Sequence, residues 1–235
     1  LKERVKPLSL DCEEVVGIPI CYDEREGFMH HKFLVVDGRA VWTGSTNMTW
    51  NAFARNNENS LLLPSPTLAQ GYAREFEALF GGQKEGLEGV EGVAYFSPRG
   101  GRLAREALLK RLSEAQREVL VAAFVLTDRE VLEALLQARR RGAEVKVLLE
   151  TRNLGTSREE ALLEEGLEVR QDANPYTMHH KVMLLDGTYV VTGSYNFSVR
   201  AHEVNNENLL VLKSPSLAER YRKEVLRLWE AGSPL

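Results

Sequence analysis

The chain has 235 residues, 43% hydrophobic and 27% charged, with a formal net charge of −4 and a sequence pI near 5.9. Its longest purely apolar run, Val119 to Leu126, is far below the ~20 residues of a membrane span, so a soluble globular protein is expected. The acidic balance excludes a surface that is basic throughout, and a polyanion would have to enter a local basic groove.

The two cysteines, Cys12 and Cys21, are too few for a disulfide scaffold or a zinc site and allow one bridge if the protein is exported. The compartment stays open between cytoplasm and export. The next strong signal is a hairpin, because two β-rich runs in HHKFLVVDGRAVWTGSTN flank Asp37-Gly38, a dipeptide suited to a two-residue turn. On that turn Val36 pairs with Arg39, His30 faces Ser45 and Lys32 faces Thr43. Side chains alternate across a strand, so His30, Lys32, Thr43, Ser45 and Asn47 share one face, while His31, Phe33, Val35 and Trp42 take the other. A glycine-rich stretch from Gly81 to Gly92 follows, and we place a linker at residues 83–91. VAYFSP, a helix near Leu103 to Gln116, EVLVAAFVL, a helix near Asp128 to Arg141 and EVKVLLE then alternate in α/β fashion. The arginines of Ala138 to Gly142 fit a helix C-terminus capped by glycine. A second hairpin around Asp186-Gly187 sets His179 opposite Ser194, with Lys181 beside them and Asn196 following.

The second hairpin repeats the first. Shifted by 149 residues, Gly17–Phe80 and Gly166–Trp229 are identical at 27 of 64 positions without a gap, and four of the five histidines fall in two copies of MHHK. One folding unit is therefore used twice. We assign residues 1–82 to a first, N-terminally incomplete repeat and 92–235 to a second. Two like units each offer half of one site to a pseudo-twofold interface, which suggests a monomer with an internal pseudo-dimer. The 60 residues from Val90 to Leu149 have no counterpart in the first copy. A lobe lacking them would expose apolar sheet, so the natural gene product is expected to be longer at its N-terminus.

The shared face of each hairpin is suited to a phosphodiester. Lys32 and Lys181 supply positive charge, and Ser45, Asn47, Ser194 and Asn196 supply donors to the non-bridging oxygens. The imidazoles of His30 and His179 can attack phosphorus or move a proton near neutral pH. By parity Asp37 and Asp186 point away and receive a structural turn role. Nine of the 11 asparagines lie at 47–59 or 196–208. That crowding predicts a polar network around NNEN in which Glu58 and Glu207 accept a hydrogen bond from a histidine and fix its tautomer.

Both hairpins match the HxKx4Dx6GSxN signature, and the chain resembles the phospholipase D superfamily, most of all its small bacterial endonuclease-like branch. The resemblance covers the second copy almost end to end and implies an α/β fold of two α-β-α sandwich lobes with mixed sheets and one active site between them. It also implies no metal or other cofactor and a two-step reaction through a phosphohistidine, with His30 as nucleophile and His179 as general acid. The expected substrate is nucleic acid. The alternatives are a phospholipase D or phosphatidyltransferase acting on phospholipid head groups, which would call for an apolar rim, and a nucleic-acid-binding module without catalysis.

Other residues have simpler readings. His31 and His180 turn to the opposite face and are structural, and His202, which stands where the first copy has Phe53, is incidental. Zinc is disfavoured because each motif pairs its histidine with a cationic lysine. Of the flanking aromatics Phe28, Trp50, Tyr176 and Tyr195, only Phe28 and Tyr176 are candidates for stacking on bases, with core packing as the alternative.

Overall fold

The computed structural model describes residues 11–23 and 25–235; the start of the first repeat, residues 1–10, lies outside the described residues. The first elements form a two-stranded antiparallel pair, β1 (Asp11–Val15) and β2 (Ile18–Tyr22), joined by the Cys12–Cys21 disulfide between directly paired positions.

The fold is mixed α/β, built on one large sheet. Its interior strands include β8 (Glu118–Ala123) and β9 (Glu144–Leu149), whose apolar residues are buried on both faces. They lie parallel to each other and to β10 (Glu168–Gln171). Helices α4 (Arg129–Arg140) and α5 (Glu159–Glu164) make the crossovers. Asp128 caps α4 by accepting from the Glu130 N–H, and the helix ends in arginines before Gly142 at φ +99°, as the ARRRG run predicts. The antiparallel half holds β11 (Lys181–Leu185), β12 (Tyr189–Gly193), β13 (Glu207–Lys213), β7 (Ala94–Ser97) and β6 (Gly89–Val90). The strand order is β14-β10-β9-β8-β11-β12-β13-β7-β6, where β14 is Ser233–Pro234. One face packs Val121, Val147 and Val191 against Leu108 and Leu112 of α3 (Gly101–Glu114) and Leu135 of α4. The other packs Leu120, Leu148 and Val182 against Val225 and Trp229 of α7 (Pro215–Ala231). The second repeat is thus an α-β-α sandwich. No helix among the described residues is long and apolar enough to cross a membrane.

The first repeat contributes a smaller sheet of β3 (Phe33–Val36), β4 (Ala40–Gly44) and β5 (Ser60–Pro64). Helix α2 (Pro66–Phe80) covers one face, starting at a Ser65 cap with Pro66 in its first turn, as Ser214-Pro215 starts α7. Val41, Leu68 and Tyr72 there join Ala94, Phe96 and Leu210 of the large sheet, so one core runs across both repeats. The opposite face leaves Leu34, Val36 and Leu62 exposed. Their counterparts Met183, Leu185 and Val211 are buried in the cluster beneath α3 and α4. Among the described residues, the sheet of the first repeat thus carries a helix on one face and leaves the other open.

Within residues 83–91, β6 pairs with β7 at the sheet edge, and the Leu87 N–H donates to the buried Glu75 carboxylate. The hairpin register expected from sequence needs correction, because it is shifted by one. Asp37 and Gly38 form the turn with φ +52° and +62°, but Arg39 bulges and Val36 pairs with Ala40. Leu185 likewise pairs with Tyr189. A one-residue slip exchanges the faces of the return strand. Thr43 therefore joins Phe33 on the core side, and Trp42 joins Leu34 on the open side.

Candidate active site

His30 and His179 stand just before β3 and β11, where the chain leaves one repeat to touch the other. The His30 N–H donates to the Asn206 carbonyl (2.9 Å) and the His179 N–H to the Asn57 carbonyl (2.9 Å). These reciprocal backbone contacts bring each NNEN segment against the opposite motif. His30 Nδ1 lies 2.7 Å from Glu207 Oε2, and His179 Nδ1 lies 2.9 Å from Glu58 Oε2. Each carboxylate is an acceptor, so each Nδ1 carries the proton of the pair and Nε2 is left to act. Sequence pointed to the glutamates, but the exchange between repeats is a tertiary fact.

Ser45 and Ser194 differ from the expectation. Neither hydroxyl faces its own motif's histidine, since Ser45 Oγ donates to Glu58 Oε2 (2.5 Å) and Ser194 Oγ to Glu207 Oε2 (2.7 Å). Both are fully buried and accept the N–H of Asn59 and Asn208, so their donors are committed to holding the glutamates. Asn56 and Asn205 hold the second oxygens of the same carboxylates (3.1 Å each). Asn47 and Asn196 are half-buried, and Asn196 Oδ1 is buried without a hydrogen-bond partner among the described residues.

The lysines lie in the same centre. Lys32 Nζ donates to the His30 carbonyl (2.6 Å) and Lys181 Nζ to the His179 carbonyl (2.8 Å). Burial pushes Lys32 down to about 8 against the pull of Glu207 and Glu58. Burial, aided by the charge on Lys32, pushes Lys181 down to about 7. His179 is lowered to about 4, first by burial and then by Lys181, with Glu58 opposing. Burial alone would lift the Glu58 carboxyl, but His179, Ser45 and Asn56 outweigh it and hold it below its ordinary value. The two histidines are not equivalent, since the His30 side chain is 23% exposed and that of His179 8%.

A latch behind the site escaped the sequence reading. Asn59 Oδ1 accepts from Thr192 (2.7 Å) and Tyr221 (3.0 Å), and Asn208 Nδ2 donates to Thr43 (3.0 Å) and Tyr72 (2.7 Å), each asparagine reaching into the other repeat. The signal was present, because Thr43, Asn59 and Tyr72 are identical to their shifted counterparts. Gly44 and Gly193 make the approach possible, since a Cβ on either would overlap the carbonyl of Asn59 or Asn208.

Residues read as structural lie apart from the reacting face. His31 Nε2 meets Glu75 Oε1 at 3.1 Å beside Phe33 and Phe96, and His180 Nδ1 meets Asn59 Nδ2 at 3.0 Å. His202 is buried away from the site, 3.7 Å from Asp128. Asp186 accepts N–H groups of Gln116 (3.0 Å), Arg117 (2.8 Å) and Glu118 (3.0 Å). Asp37 is exposed and makes no side-chain hydrogen bond among the described residues, although both aspartates sit in their turns at positive φ. Burial would raise the Asp186 carboxyl, but the three N–H groups hold it below its usual value. Asp186→Asn should lower stability by about 1–2 kcal/mol, roughly 2–8 °C in Tm. Because the folded pKa is depressed, that contribution is present above an unfolded pKa of ~3.9 and fades as pH falls through the folded value. Thermal melts of both proteins at pH 7 and pH 3 check this, and an undiminished gap at pH 3 would refute it.

The comparisons bear on this geometry. A family model described as "Cardiolipin synthase, PLD-like domain" matches residues 8–80 and 108–229. The chain belongs to the phospholipase D superfamily. Among its relatives, "Mitochondrial cardiolipin hydrolase" of Xenopus laevis is 36% identical over 129 residues, 54% of this chain and 61% of that protein. "Phospholipase D" of Rickettsia typhi is 33% identical over 128 residues, 54% of this chain and 62% of that protein. The match thus spans less than two thirds of these curated relatives. A solved phospholipase D family member, Nuc from Salmonella typhimurium, superposes with a TM-score of 0.56 at 31% identity, covering 60% of this chain and 95% of that one. Phosphatidylserine synthase of Haemophilus influenzae gives 0.66 at 12% identity over 89% of this chain and 63% of that one, and shows a shared fold.

Proposed function

We propose that the chain is a metal-independent phosphodiesterase that cleaves nucleic-acid phosphodiester bonds through a phosphohistidine. The observation that carries the chemistry is the crossed pairing of His30 with Glu207 and His179 with Glu58 around two buried lysines. With Nδ1–H held by Glu207, His30 Nε2 attacks phosphorus. Once the bound phosphate anion has drawn a second proton onto His179, at Nε2, the P–O bond to the leaving group breaks as that proton passes to the departing oxygen. Water then attacks phosphorus, the P–N bond breaks, His179 takes a proton from that water, and His30 leaves as the neutral imidazole. Lys32 and Lys181 neutralise the charge on the non-bridging oxygens, with Asn47 and Asn196 beside them. Ser45 and Ser194 hold the glutamates that orient the histidines.

Nucleic acid is favoured over lipid by the position of the apolar space. A cavity of about 200 Å³ is lined by Met29, His31, Phe33, Phe76 and Phe80, among others, and reaches none of His30, Lys32, His179 or Lys181. It lies on the His31 side of the motif, so it offers no acyl slot to the reacting face. The second reading, hydrolysis of a phosphatidyl ester, draws on the names of the relatives. Purified protein in excess EDTA, offered single-stranded DNA, duplex DNA, RNA and cardiolipin vesicles side by side, should cleave polynucleotide at its full rate. Loss on chelation that magnesium or zinc restores would overturn the mechanism, and cleavage of vesicles alone would overturn the substrate.

A further inference from the structure

The approach to each catalytic histidine carries an open aromatic ring under a guanidinium. Phe28, two residues before His30, is 62% exposed, and Arg200 stands over its ring at 5.6 Å from the centroid. Tyr176, three residues before His179, is 42% exposed and lies 4.9 Å beneath Arg55. In each pair the ring and the arginine come from opposite repeats. Rings of this size usually close into a core, yet here the backbone holds them in the open. The Phe28 N–H donates to Asn205 Oδ1 (3.2 Å), and its carbonyl accepts from the Asn206 N–H (2.8 Å). The Tyr176 N–H donates to Asn174 Oδ1 (2.8 Å), and Asn174 Nδ2 donates to the Arg55 carbonyl (3.1 Å). Both platforms are thereby tied to chain that leads into the NNEN segments whose glutamates hold the histidines. Neither Arg55 nor Arg200 is paired with a carboxylate among the described residues. In a chain of net charge −4, these two unneutralised cations flank the site.

We propose that Phe28 and Tyr176 are stacking platforms for the bases on either side of the scissile phosphate of a single-stranded polynucleotide, with Arg200 and Arg55 on the flanking phosphates. The proposal rests on the nucleic-acid reading above. Stacking demands an unpaired base, because in a duplex both faces of each base are already covered by its neighbours. A guanidinium beside an aromatic face suits a nucleotide, since it answers the phosphate while the ring answers the base.

The test is the ratio of kcat/KM for a single-stranded 12-mer to that for bis(p-nitrophenyl) phosphate, which has no neighbouring nucleotides. Wild-type protein should prefer the single strand to the same sequence as a duplex. In Phe28→Ala and in Tyr176→Ala the ratio should fall about tenfold, the order expected for one lost base stack. Phe28→Trp and Tyr176→Phe should retain it. Arg55→Gln and Arg200→Gln, both surface changes, should each reduce the salt dependence of 12-mer binding by roughly one phosphate contact. A ratio unchanged in the alanine variants, whether both activities fall together or neither does, overturns the platforms and leaves the nuclease standing. A wild-type preference for duplex overturns the single-strand assignment. Cleavage of vesicles with no polynucleotide cleaved overturns both this inference and the reading beneath it.

Discussion

His30→Asn should abolish turnover of a p-nitrophenyl phosphodiester with no burst, whereas His179→Asn should release one equivalent of p-nitrophenolate and stop. The leaving oxygen of this ester needs no proton, so loss of a general acid spares the first step. The phosphoryl group then stays on His30, because the water of the second step lacks its base. Steady-state rates should fall on the order of 10⁴-fold or more in His30→Asn and about 10²–10⁴-fold in His179→Asn on an ordinary nucleotide leaving group. Stopped-flow absorbance decides the matter. A burst in His30→Asn and none in His179→Asn would exchange the two roles, and wild-type rates in both variants would end the paired-histidine mechanism. The glutamates give a milder version of the same test. Glu207→Gln should slow the first step by loosening His30, since Glu207 Oε2 lies 2.7 Å from His30 Nδ1.

Lys181→Ala should lower kcat/KM by about 10²–10³, the cost of removing a donor that meets developing charge. The pH profile carries a second signature. Lys181 and Lys32 are pushed down to about 7 and about 8, mainly by burial, so both lose their charge as pH rises through that window. kcat/KM, which reports the free protein, should therefore decline once pH rises past the His179 value and fall more steeply above pH 7 as the lysines lose their charge. His179 at about 4 is neutral in the free protein at pH 7, and a bound phosphate anion raises it. kcat should accordingly persist to higher pH than kcat/KM. The same lysines bear on stability with a definite sign. Their folded pKa values lie below the unfolded value of ~10.4, so between pH 7 and 10 the unfolded chain binds more protons and this contribution to stability rises with pH. A kcat/KM that climbs steadily to pH 10, or a Lys181→Ala effect below threefold, would show that the lysines do not meet the phosphate.

Much of this was written in the chain itself. The MHHK pair, the lysines two residues on and the NNEN glutamates are legible because a repeat of 149 residues marks them twice. The α/β alternation from VAYFSP to EVKVLLE is legible because apolar period and cap residues are local properties. The hairpin register was not, since Asp37-Gly38 allows a bulge at Arg39, and one extra residue in the ladder exchanges the faces of Trp42 and Thr43. Nor could sequence tell which histidine each glutamate serves. Glu58 lies close in sequence to Ser45, which it does bind, yet its histidine is His179, 121 positions away. Only packing the NNEN segment of one repeat against the motif of the other creates that contact. Repeat symmetry likewise leaves His30 and His179 equal, and unequal burial of their side chains, together with two lysines forced into one small space, is what separates them.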